Sequence, residues 1–266
     1  MEDSCEIYIT VTNSSYVGKV LYVSTDKINW TKITTSSAQQ TIATLNTGDK
    51  LYLYGFDTSY GYNTFNFSKN CYVYGNIMSL FYGQEFVGQT TVTGDHACTQ
   101  LFKDNAHLLS HPSKQLVLPI VNFILNDSWK RTYKAAFIYK YMFQNCTALV
   151  RAPEIYLSHA NSEECYGMFK GCTSLEVFPY AFNCGTLGGS PYKYMFDGCT
   201  SLKYIKMMTD DPCSYRFTVD YMTRNVPSVG VFICNKLADP DGTSHGKWYK
   251  SSEGDAIPSG WTVYTT

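Results

Sequence analysis

The chain has 266 residues, enough for one large domain or two smaller ones, with a core that needs neither disulfides nor a metal. Its 21 basic and 22 acidic residues nearly cancel, and no Lys/Arg cluster of the kind that follows a phosphate backbone is present. The longest apolar run, residues 116–125, is interrupted by Pro119 and Asn122 and is too short to span a bilayer. Nucleic acid and a membrane span are therefore not expected.

The first residues, MEDSCEIYITVTNSS, contain no basic segment followed by an apolar one, so no signal peptide is expected and the chain is predicted to be soluble. The ten cysteines include no C-x-x-C pair and no pair with histidines at zinc-finger spacing. A chain that is not exported keeps its thiols reduced. The cysteines are therefore expected to be small buried apolar side chains, and no metal or cofactor is predicted.

Residues 1–73 consist of short alternating runs, EIYITVT, KVLYVS, WTKIT, QTIATL, KLYLYGF and CYVYG, with turn residues between them. This pattern predicts a small antiparallel β-sandwich. Two of the turns are predicted to form hairpins. One is NTGDKLYLYG with Gly48 and Asp49, and the other is STDKINW with Trp30 on its flank.

The segment from Tyr54 to Phe67, YGFDTSYGYNTFNF, is richer in aromatic residues than a solvated loop requires. Its rings either pack on the edge of the sandwich or form an exposed surface for contact with a sugar or a protein. In the second case a glycan would stack on Tyr60 or Tyr62, and Asn63 would hydrogen-bond to its hydroxyl groups.

One phrase is repeated further along the chain. YKYMFQNCTAL begins at Tyr139 and YKYMFDGCTSL at Tyr192, with eight of eleven letters the same, and YGMFKGCTSL begins between them at Tyr166. Aligned on the phenylalanine, the copies are 26 and 27 residues apart, which predicts stacked units of one strand and one turn region each. Three columns are shared: Phe143, Phe169 and Phe196; Cys146, Cys172 and Cys199; and Leu149, Leu175 and Leu202.

Within each unit, the residues before MF are predicted to form a short helix or a turn, GCTSL a turn, and the following residues an alternating strand. The cysteine column is predicted to be a ladder in the core. Alternation from the leucine places Leu175 and Val177 inward, with Leu202 and Tyr204 equivalent to them. It places outward a stripe that is predicted to contact a partner: Val150, Ala152, Glu176, Phe178, Lys203 and Ile205.

Weaker copies flank the three clear ones. QLFKDNAHLLSHP places Phe102 and Leu108 in the columns, with Asn105 at the cysteine position, 41 residues before the next copy. The extra length predicts an insertion over residues 121–135. DYMTRNVPSV keeps Met222 and puts Val229 at the leucine position. Degenerate end copies are typical of a stacked array, whose last units face water.

The phrase MFxGCTSLxxxP resembles the BspA-type leucine-rich repeat, found in surface proteins of gut Bacteroides-group bacteria and in phages that infect them. Residues 74–83, YGNIMSLFYG, resemble the entry to such arrays, and residues 257–263, IPSGWTV, resemble their closing segment. The resemblance covers about residues 74–266 and implies a leucine-rich-repeat solenoid over 74–235 and a capping segment over 236–266. With the β-sandwich that the alternating runs predict over 1–73, the chain is expected to be mainly β and to have three parts.

No motif for catalysis is present, neither H-E-x-x-H, G-x-S-x-G, a P-loop nor G-x-G-x-x-G, and no catalytic residue is predicted. His107 and His111 are four residues apart and would share a metal only on a helix. Pro112 and the alignment of this segment with a repeat strand oppose a helix.

The resemblance, together with the expected absence of a signal peptide, implies a non-enzymatic component of a bacteriophage virion, a head or tail decoration or fibre-type protein that acts in adhesion to the host surface or in particle assembly. Such a protein is assembled in the host cytoplasm. The alternative is a bacterial cell-surface adhesin or glycan-binding protein with the same repeats, and a third possibility is a glycan-active enzyme with a repeat appendage. The expected partners are other virion or surface proteins, a host surface glycan or protein, and identical subunits.

Overall fold

The computed structural model describes residues 4–120, 136–157, 159–160, 163–182, 185–186, 189–209, 219–235, 237 and 248–266. This part of the chain is mainly β, with several small sheets, which confirms the predicted class. The predicted insertion over 121–135 and two of the cysteines, Cys184 and Cys213, lie outside the described residues.

The N-terminal part of the chain, which we call the front region, contains two antiparallel sheets of three strands each. The strands are β1 (Cys5–Val11), β2 (Val20–Ser24), β3 (Thr31–Thr34), β4 (Gln40–Leu45), β5 (Tyr52–Gly55) and β6 (Asn63–Phe67). One sheet has the order β4-β1-β6 and the other β3-β2-β5. Alternate residues of both sheets, such as Ile7 and Ile9 in β1 and Leu21 and Val23 in β2, are buried in a common core.

The two predicted hairpins have different outcomes. STDKINW joins β2 to β3, which pair antiparallel with Val23 opposite Thr31, so that prediction is confirmed. The turn at Gly48 exists, with a φ of 95° and a hydrogen bond from Asp49 N to Asn46 O of 3.0 Å. However, β4 and β5 on either side of it lie in different sheets, so the hairpin prediction is wrong there. Turn residues specify a chain reversal, whereas the strand partner depends on packing elsewhere.

The remaining strands are all in parallel pairings. One short helix, α1 (Ser79–Tyr82), and two 3-10 turns, Ser14–Tyr16 and Gly83–Glu85, complete the regular elements of the described residues. The strands are β7 (Cys71–Val73), β8 (Gly75–Asn76), β9 (Leu108–Ser110), β10 (Leu116–Val117), β11 (His159–Ala160), β12 (Val177–Phe182), β13 (Gly185–Thr186), β14 (Tyr204–Met207), β15 (Val231–Cys234), β16 (Lys250–Ser251), β17 (Ile257–Pro258) and β18 (Thr262–Thr265).

Equivalent strands of successive repeats lie side by side. The largest parallel sheet has the order β12-β14-β15-β18, and its register pairs Val177 with Tyr204, Tyr204 with Val231, and Val231 with Thr262. Before β12 the pairing continues as a bridge between Arg151 and Val177. Each repeat therefore contributes one strand, and this strand lies beside the equivalent strand of the next repeat.

The segments that end in MF are turns and not helices. Inside each turn, alternate N–H groups bond to the carbonyl three residues back, as from Met142 N to Tyr139 O at 3.1 Å. The N–H groups between them bond to the next repeat, from Tyr141 N to Tyr166 O and from Phe143 N to Met168 O, both at 2.9 Å. Because alternate residues bond across, the turn region is attached to its neighbour in the manner of a parallel strand.

The phenylalanine column forms a stack through the interior. Phe102, Phe143, Phe169 and Phe196 follow each other at centroid distances of 5.6, 5.5 and 5.9 Å, with nearly parallel planes. Phe65 of β6 lies 6.2 Å from Phe102, so the stack begins within the range assigned to the front sandwich. The predicted alignment of Phe102 with the later copies is confirmed, while the domain boundary at residue 73 stays a prediction.

The cysteine column is buried beside this stack, as predicted. Each thiol donates to the carbonyl oxygen of the phenylalanine one repeat earlier: Cys146 to Phe102 at 3.0 Å, Cys172 to Phe143 at 3.0 Å and Cys199 to Phe169 at 3.1 Å. At the equivalent position the amide of Asn105 donates to the carbonyl oxygen of Phe65 at 3.1 Å. Asparagine therefore supplies the same hydrogen bond where the sequence lacks the cysteine.

The predicted outward stripe is partly wrong. Phe178 and Ile205 are fully buried, and Ala152 is buried as well. The reason is that Leu175 still belongs to the turn, where its N–H bonds to Cys172 O at 3.0 Å, and the two-residue alternation begins only at Val177. Residues three apart therefore both face the core. Val177 and Tyr204, which were expected to face inward, are half-buried.

Candidate functional site

The three residues predicted to bind a glycan are not exposed together. Tyr60 and Asn63 are completely buried, and Tyr62 is half-buried. The hydroxyl of Tyr60 donates to the carbonyl oxygen of Val20, and burial raises the pKa of Tyr60 to about 12. The Asn63 amide donates to the carbonyl oxygen of Gly61 at 3.0 Å. Tyr60 and Asn63 therefore fix the fold between β5 and β6. For these two residues the structure agrees with the alternative in which the segment packs on the sandwich, and the alternative of an exposed glycan site is wrong.

Three residues of the predicted outward stripe do face solvent. Val150, Glu176 and Lys203 are exposed, and the two charged side chains lie 4.0 Å apart. Without Phe178 and Ile205 this stripe contains one isolated aliphatic group and a solvated ion pair. Such a surface offers little apolar area for a partner.

A different exposed aromatic cluster lies on the front sheet β3-β2-β5. Tyr22 of β2 and Tyr54 of β5 are directly opposite each other, and their rings stack at 4.8 Å. Trp30 meets Tyr54 edge-on at 4.5 Å, and Phe56 meets it at 5.6 Å. Phe56 is 64% exposed, and the other three rings are half-buried. We call these four residues, Tyr22, Trp30, Tyr54 and Phe56, the aromatic platform.

The loop between β2 and β3 holds Trp30 in place. The carboxylate of Asp26 accepts hydrogen bonds from the backbone N–H of Ile28 and of Asn29, both at 2.8 Å. These bonds, with those from the side chains of Asn29 and Ser24, keep the pKa of Asp26 well below its ordinary value. The indole N–H of Trp30 donates to the carbonyl oxygen of Lys27 at 3.1 Å. The ring is therefore oriented by hydrogen bonds that do not depend on a partner.

Phe56 is fixed by a glycine on the neighbouring segment. Its ring lies so close to Gly83 that a Cβ added there would be 2.0 Å from the ring, and Gly83 also has a φ of 60°. Only glycine allows this approach and this backbone conformation together. Tyr52 is two residues from Tyr54 in β5 and therefore lies on the same face of the sheet. The ammonium group of Lys27 lies 4.4 Å from the centroid of its ring. The platform is thus a surface of contacting rings with a cation near its edge.

A second aromatic surface follows the stacked turns. Tyr141, Tyr166, Tyr194 and Tyr221, which we call the tyrosine row, lie in successive repeats at centroid distances of 5.3, 5.5 and 5.3 Å. Three of them have a φ of 53–59°, which is rare for residues other than glycine. In the remaining repeat this position is Gly167, which the ring of Tyr141 covers so closely that a Cβ there would lie 2.5 Å from it.

Charged side chains accompany the tyrosine row. Lys170 lies 4.7 Å from the ring of Tyr194, and Arg224 lies 4.8 Å from that of Tyr221. Arg224 also forms two hydrogen bonds with buried Asp197, at 3.0 and 2.8 Å, and this carboxylate raises the pKa of Arg224. The rings of the tyrosine row contact each other, and the cations beside it have carboxylate partners. Much of the capacity of these groups to bind a partner is therefore already used in contacts between repeats.

The two histidines considered for a metal do not lie on a helix, as predicted. His107 and His111 flank strand β9. His107 Nδ1 lies 3.2 Å from the Asn70 amide oxygen, and His111 Nδ1 accepts hydrogen bonds from two backbone N–H groups at 3.1 Å. Among the residues that the structure describes, no group of three or more His, Cys, Asp or Glu side chains has the arrangement of a metal site. No helix in this part of the chain is long and apolar enough to cross a membrane.

Comparison with known proteins finds no matching family model, no similar curated protein and no similar solved structure. The function is therefore inferred from the chain's own residues. Sequence reasoning noted the aromatic segment that contains Tyr54 and Phe56 but missed Tyr22 and Trp30 as their neighbours. The alternation of KVLYVS already places Tyr22 on the face of the strand that does not carry the buried Leu21 and Val23. What the sequence did not show is that β2 pairs with β5.

Proposed function

We propose that this chain is a non-enzymatic binding protein of a bacteriophage virion, a head or tail decoration or fibre-type component that acts in adhesion to the host surface or in particle assembly. The observation that carries the binding role is the aromatic platform, one exposed and three half-buried rings in contact on a sheet whose other face forms the core. Exposed and oriented aromatic side chains are the groups that dominate binding at protein surfaces.

The repeat architecture supports a surface protein. We propose that the stacked units form a leucine-rich-repeat solenoid of the BspA type behind a front β-sandwich. The parallel register of β12, β14, β15 and β18 and the stack of Phe143, Phe169 and Phe196 are what such an array requires. A solenoid of this kind serves as a rigid stem, and the front sheets present the contact surface at one end of the sequence.

The chemistry of the platform favours a glycan as the adhesion ligand. Tyr22 and Tyr54 combine ring faces with hydroxyl groups, and the polar loop of Lys27 and Asn29 borders Trp30. The C–H face of a sugar ring packs on an aromatic ring while its hydroxyl groups need hydrogen-bond partners nearby. The platform offers both. A bacterial cell-surface adhesin or glycan-binding protein is the alternative, because the same surface suits either setting.

The proposal is tested by binding of the labelled full chain to bacterial cells, together with detection of the chain in purified phage particles. The double variant Trp30→Ser/Phe56→Ser is expected to lose tenfold or more in cell binding, since about 1.4 kcal/mol corresponds to tenfold. Tyr72→Ser is the matched control, because Tyr72 is an exposed aromatic residue that forms no ring contact with the platform residues. Treating the cells with periodate, which cleaves sugar diols, is expected to abolish binding.

The outcomes separate the alternatives. Cell binding that survives periodate but not protease indicates a protein ligand. A chain that occurs in particles but does not bind cells acts in assembly, and a chain that binds cells but is encoded beside outer-membrane transport genes and is absent from particles is the bacterial adhesin. If the chain neither binds cells nor enters particles, or if Tyr72→Ser lowers binding as much as the double variant, the platform does not have this function.

A further inference from the structure

Two cysteines from different parts of the fold have their sulfur atoms in contact. Cys5 is the first residue of β1 and Cys71 is the first residue of β7, 66 positions later. Their Sγ atoms lie 3.0 Å apart. Cys5 is buried, whereas Cys71 is half-buried and therefore open to a small reagent.

The backbone around the two thiols is fixed on both sides. Ile7 pairs with Phe67 in the antiparallel sheet, and Glu6 exchanges hydrogen bonds with Ser68, from Ser68 N to Glu6 O at 3.0 Å and from Glu6 N to Ser68 Oγ at 2.8 Å. The backbone N–H of Cys71 bonds to the carbonyl oxygen of His107 at 3.0 Å, which anchors β7 to β9. The two thiols therefore stay close as long as these strands remain paired.

This arrangement differs from that of the repeat cysteines. Cys146, Cys172 and Cys199 are completely buried, and each uses its S–H group in a hydrogen bond to a phenylalanine carbonyl oxygen. Burial raises the pKa of all three thiols. A thiol also reacts only where a reagent can reach it, and burial closes these three cysteines to reagents, whereas Cys71 is half-buried.

We propose that Cys5 and Cys71 form a reversible disulfide that joins the first strand of the front sheets to the first parallel strand. With glutathione disulfide as the oxidant, the Cys71 thiolate attacks one glutathione sulfur and releases one glutathione thiolate. The Cys5 thiol loses its proton and attacks the mixed disulfide at the Cys71 sulfur, which releases the second glutathione. Two cysteine thiols lose two electrons in total, and these reduce one glutathione disulfide to two glutathione molecules, which take up the two protons.

Closure is slow at neutral pH because of the site's environment. Burial, and then the contact with Cys5, raise the pKa of Cys71 to about 12. Only a small fraction of Cys71 is thiolate at pH 7. As long as the pH is below the pKa, each rise of one pH unit increases this fraction about tenfold. In a reducing cytoplasm the pair remains as two thiols, and it closes during long exposure to an oxidising medium.

The cross-link encloses β1 to β6. A disulfide that closes a loop of this length removes much of the conformational freedom of the unfolded chain, and longer loops give larger effects. The expected result is a front region that is harder to unfold once the protein has left the cell. This inference does not depend on the function of the aromatic platform.

The test is to incubate the purified full chain with glutathione disulfide at pH 7 and pH 9, alkylate the remaining thiols, and map the disulfides by mass spectrometry without reduction. A Cys5–Cys71 linkage is expected, forming about 100 times faster at pH 9 than at pH 7. The melting temperature is expected to rise by roughly 10 °C and to return on addition of dithiothreitol. Cys5→Ser and Cys71→Ser are each expected to remove both effects.

Diamide, a smaller oxidant, controls for access to the site. The proposal is overturned if neither oxidant joins the two cysteines at either pH while both can still be alkylated. It is also overturned if the linkage forms but lowers the melting temperature, because the native backbone would then not accommodate it. A rise in melting temperature that persists in both serine variants assigns the effect to another cysteine pair and likewise contradicts the proposal.

Discussion

The front sheets and the repeats use aromatic residues in opposite ways. In the repeats, Phe143, Phe169 and Phe196 stack on each other in the interior, where each ring contacts at least two others. In the front sheet, Tyr22, Tyr54 and Phe56 contact each other on the outside, with one face of the cluster open to solvent. Removal of a repeat ring should therefore destabilise the fold, whereas removal of a platform ring should affect binding.

The largest expected effect is at the centre of the phenylalanine stack. Phe169→Ala removes a completely buried ring that contacts Phe143, Phe178 and Phe196. The resulting cavity is expected to lower the free energy of unfolding by about 3–5 kcal/mol, measured by urea denaturation.

Phe56→Ala is the matched variant in the front region. It removes the same side chain from a site that is 64% exposed, so the free energy of unfolding is expected to change by about 0.5 kcal/mol or less. Equal losses for the two variants would contradict the distinction between the repeat stack and the platform. A loss only at Phe169, with cell binding lost only at Phe56, would strengthen it.

The sequence alone predicted the columns of the repeats because identical positions recur at a fixed period. Phe102, Cys146 and Asn105 all lie where the alignment placed them. The orientation of Phe178 and Ile205 was wrong, because period-two alternation was counted from a leucine that still lies in a turn. Alternation determines which residues share a face only after the first residue of the strand is known.

The candidate site was less predictable than the fold for a related reason. The platform depends on Tyr22 lying opposite Tyr54, and this contact follows from the pairing of β2 with β5, whose sequences carry no signal for each other. The chain instead has a strong turn signal at Gly48, which wrongly suggests that β4 and β5 pair. Local patterns identify the strands, but the partners of short strands are set by packing of the whole region.

An intermediate effect is expected from the buried thiols at alkaline pH. Burial raises the pKa of Cys98, Cys146, Cys172 and Cys199, so the folded chain keeps their protons where the unfolded chain begins to release them. The unfolded thiol has a pKa of about 8.5. The contribution of each protonated thiol to the free energy of unfolding is thus fully present below about pH 8.5. Above that pH it declines by about 1.4 kcal/mol per pH unit.

Cys172→Val tests this contribution, since valine fills a similar space without titrating. The variant's stability is expected to fall less steeply than that of the wild type between about pH 8.5 and 10, by the contribution of one thiol. The readout is the slope against pH, because loss of the hydrogen bond to Phe143 also shifts the stability at pH 7. Parallel curves for the two proteins would mean that Cys172 is not protected in the repeat interior.

The last expected effect concerns the junction between the two regions. Asn105 donates to the carbonyl oxygen of Phe65 in β6, the position at which the front sheet meets the phenylalanine stack. Because thiols make this bond in the later repeats, Asn105→Cys is expected to retain it and to cost less than about 1 kcal/mol. Asn105→Ala leaves the buried carbonyl without this donor and is expected to cost about 1–3 kcal/mol.

If the cysteine variant is as unstable as the alanine variant, the hydrogen bond that the His107 N–H donates to Asn105 Oδ1, at 3.2 Å, is the more important one. The junction would then differ from the repeats that follow it, although it occupies the same column.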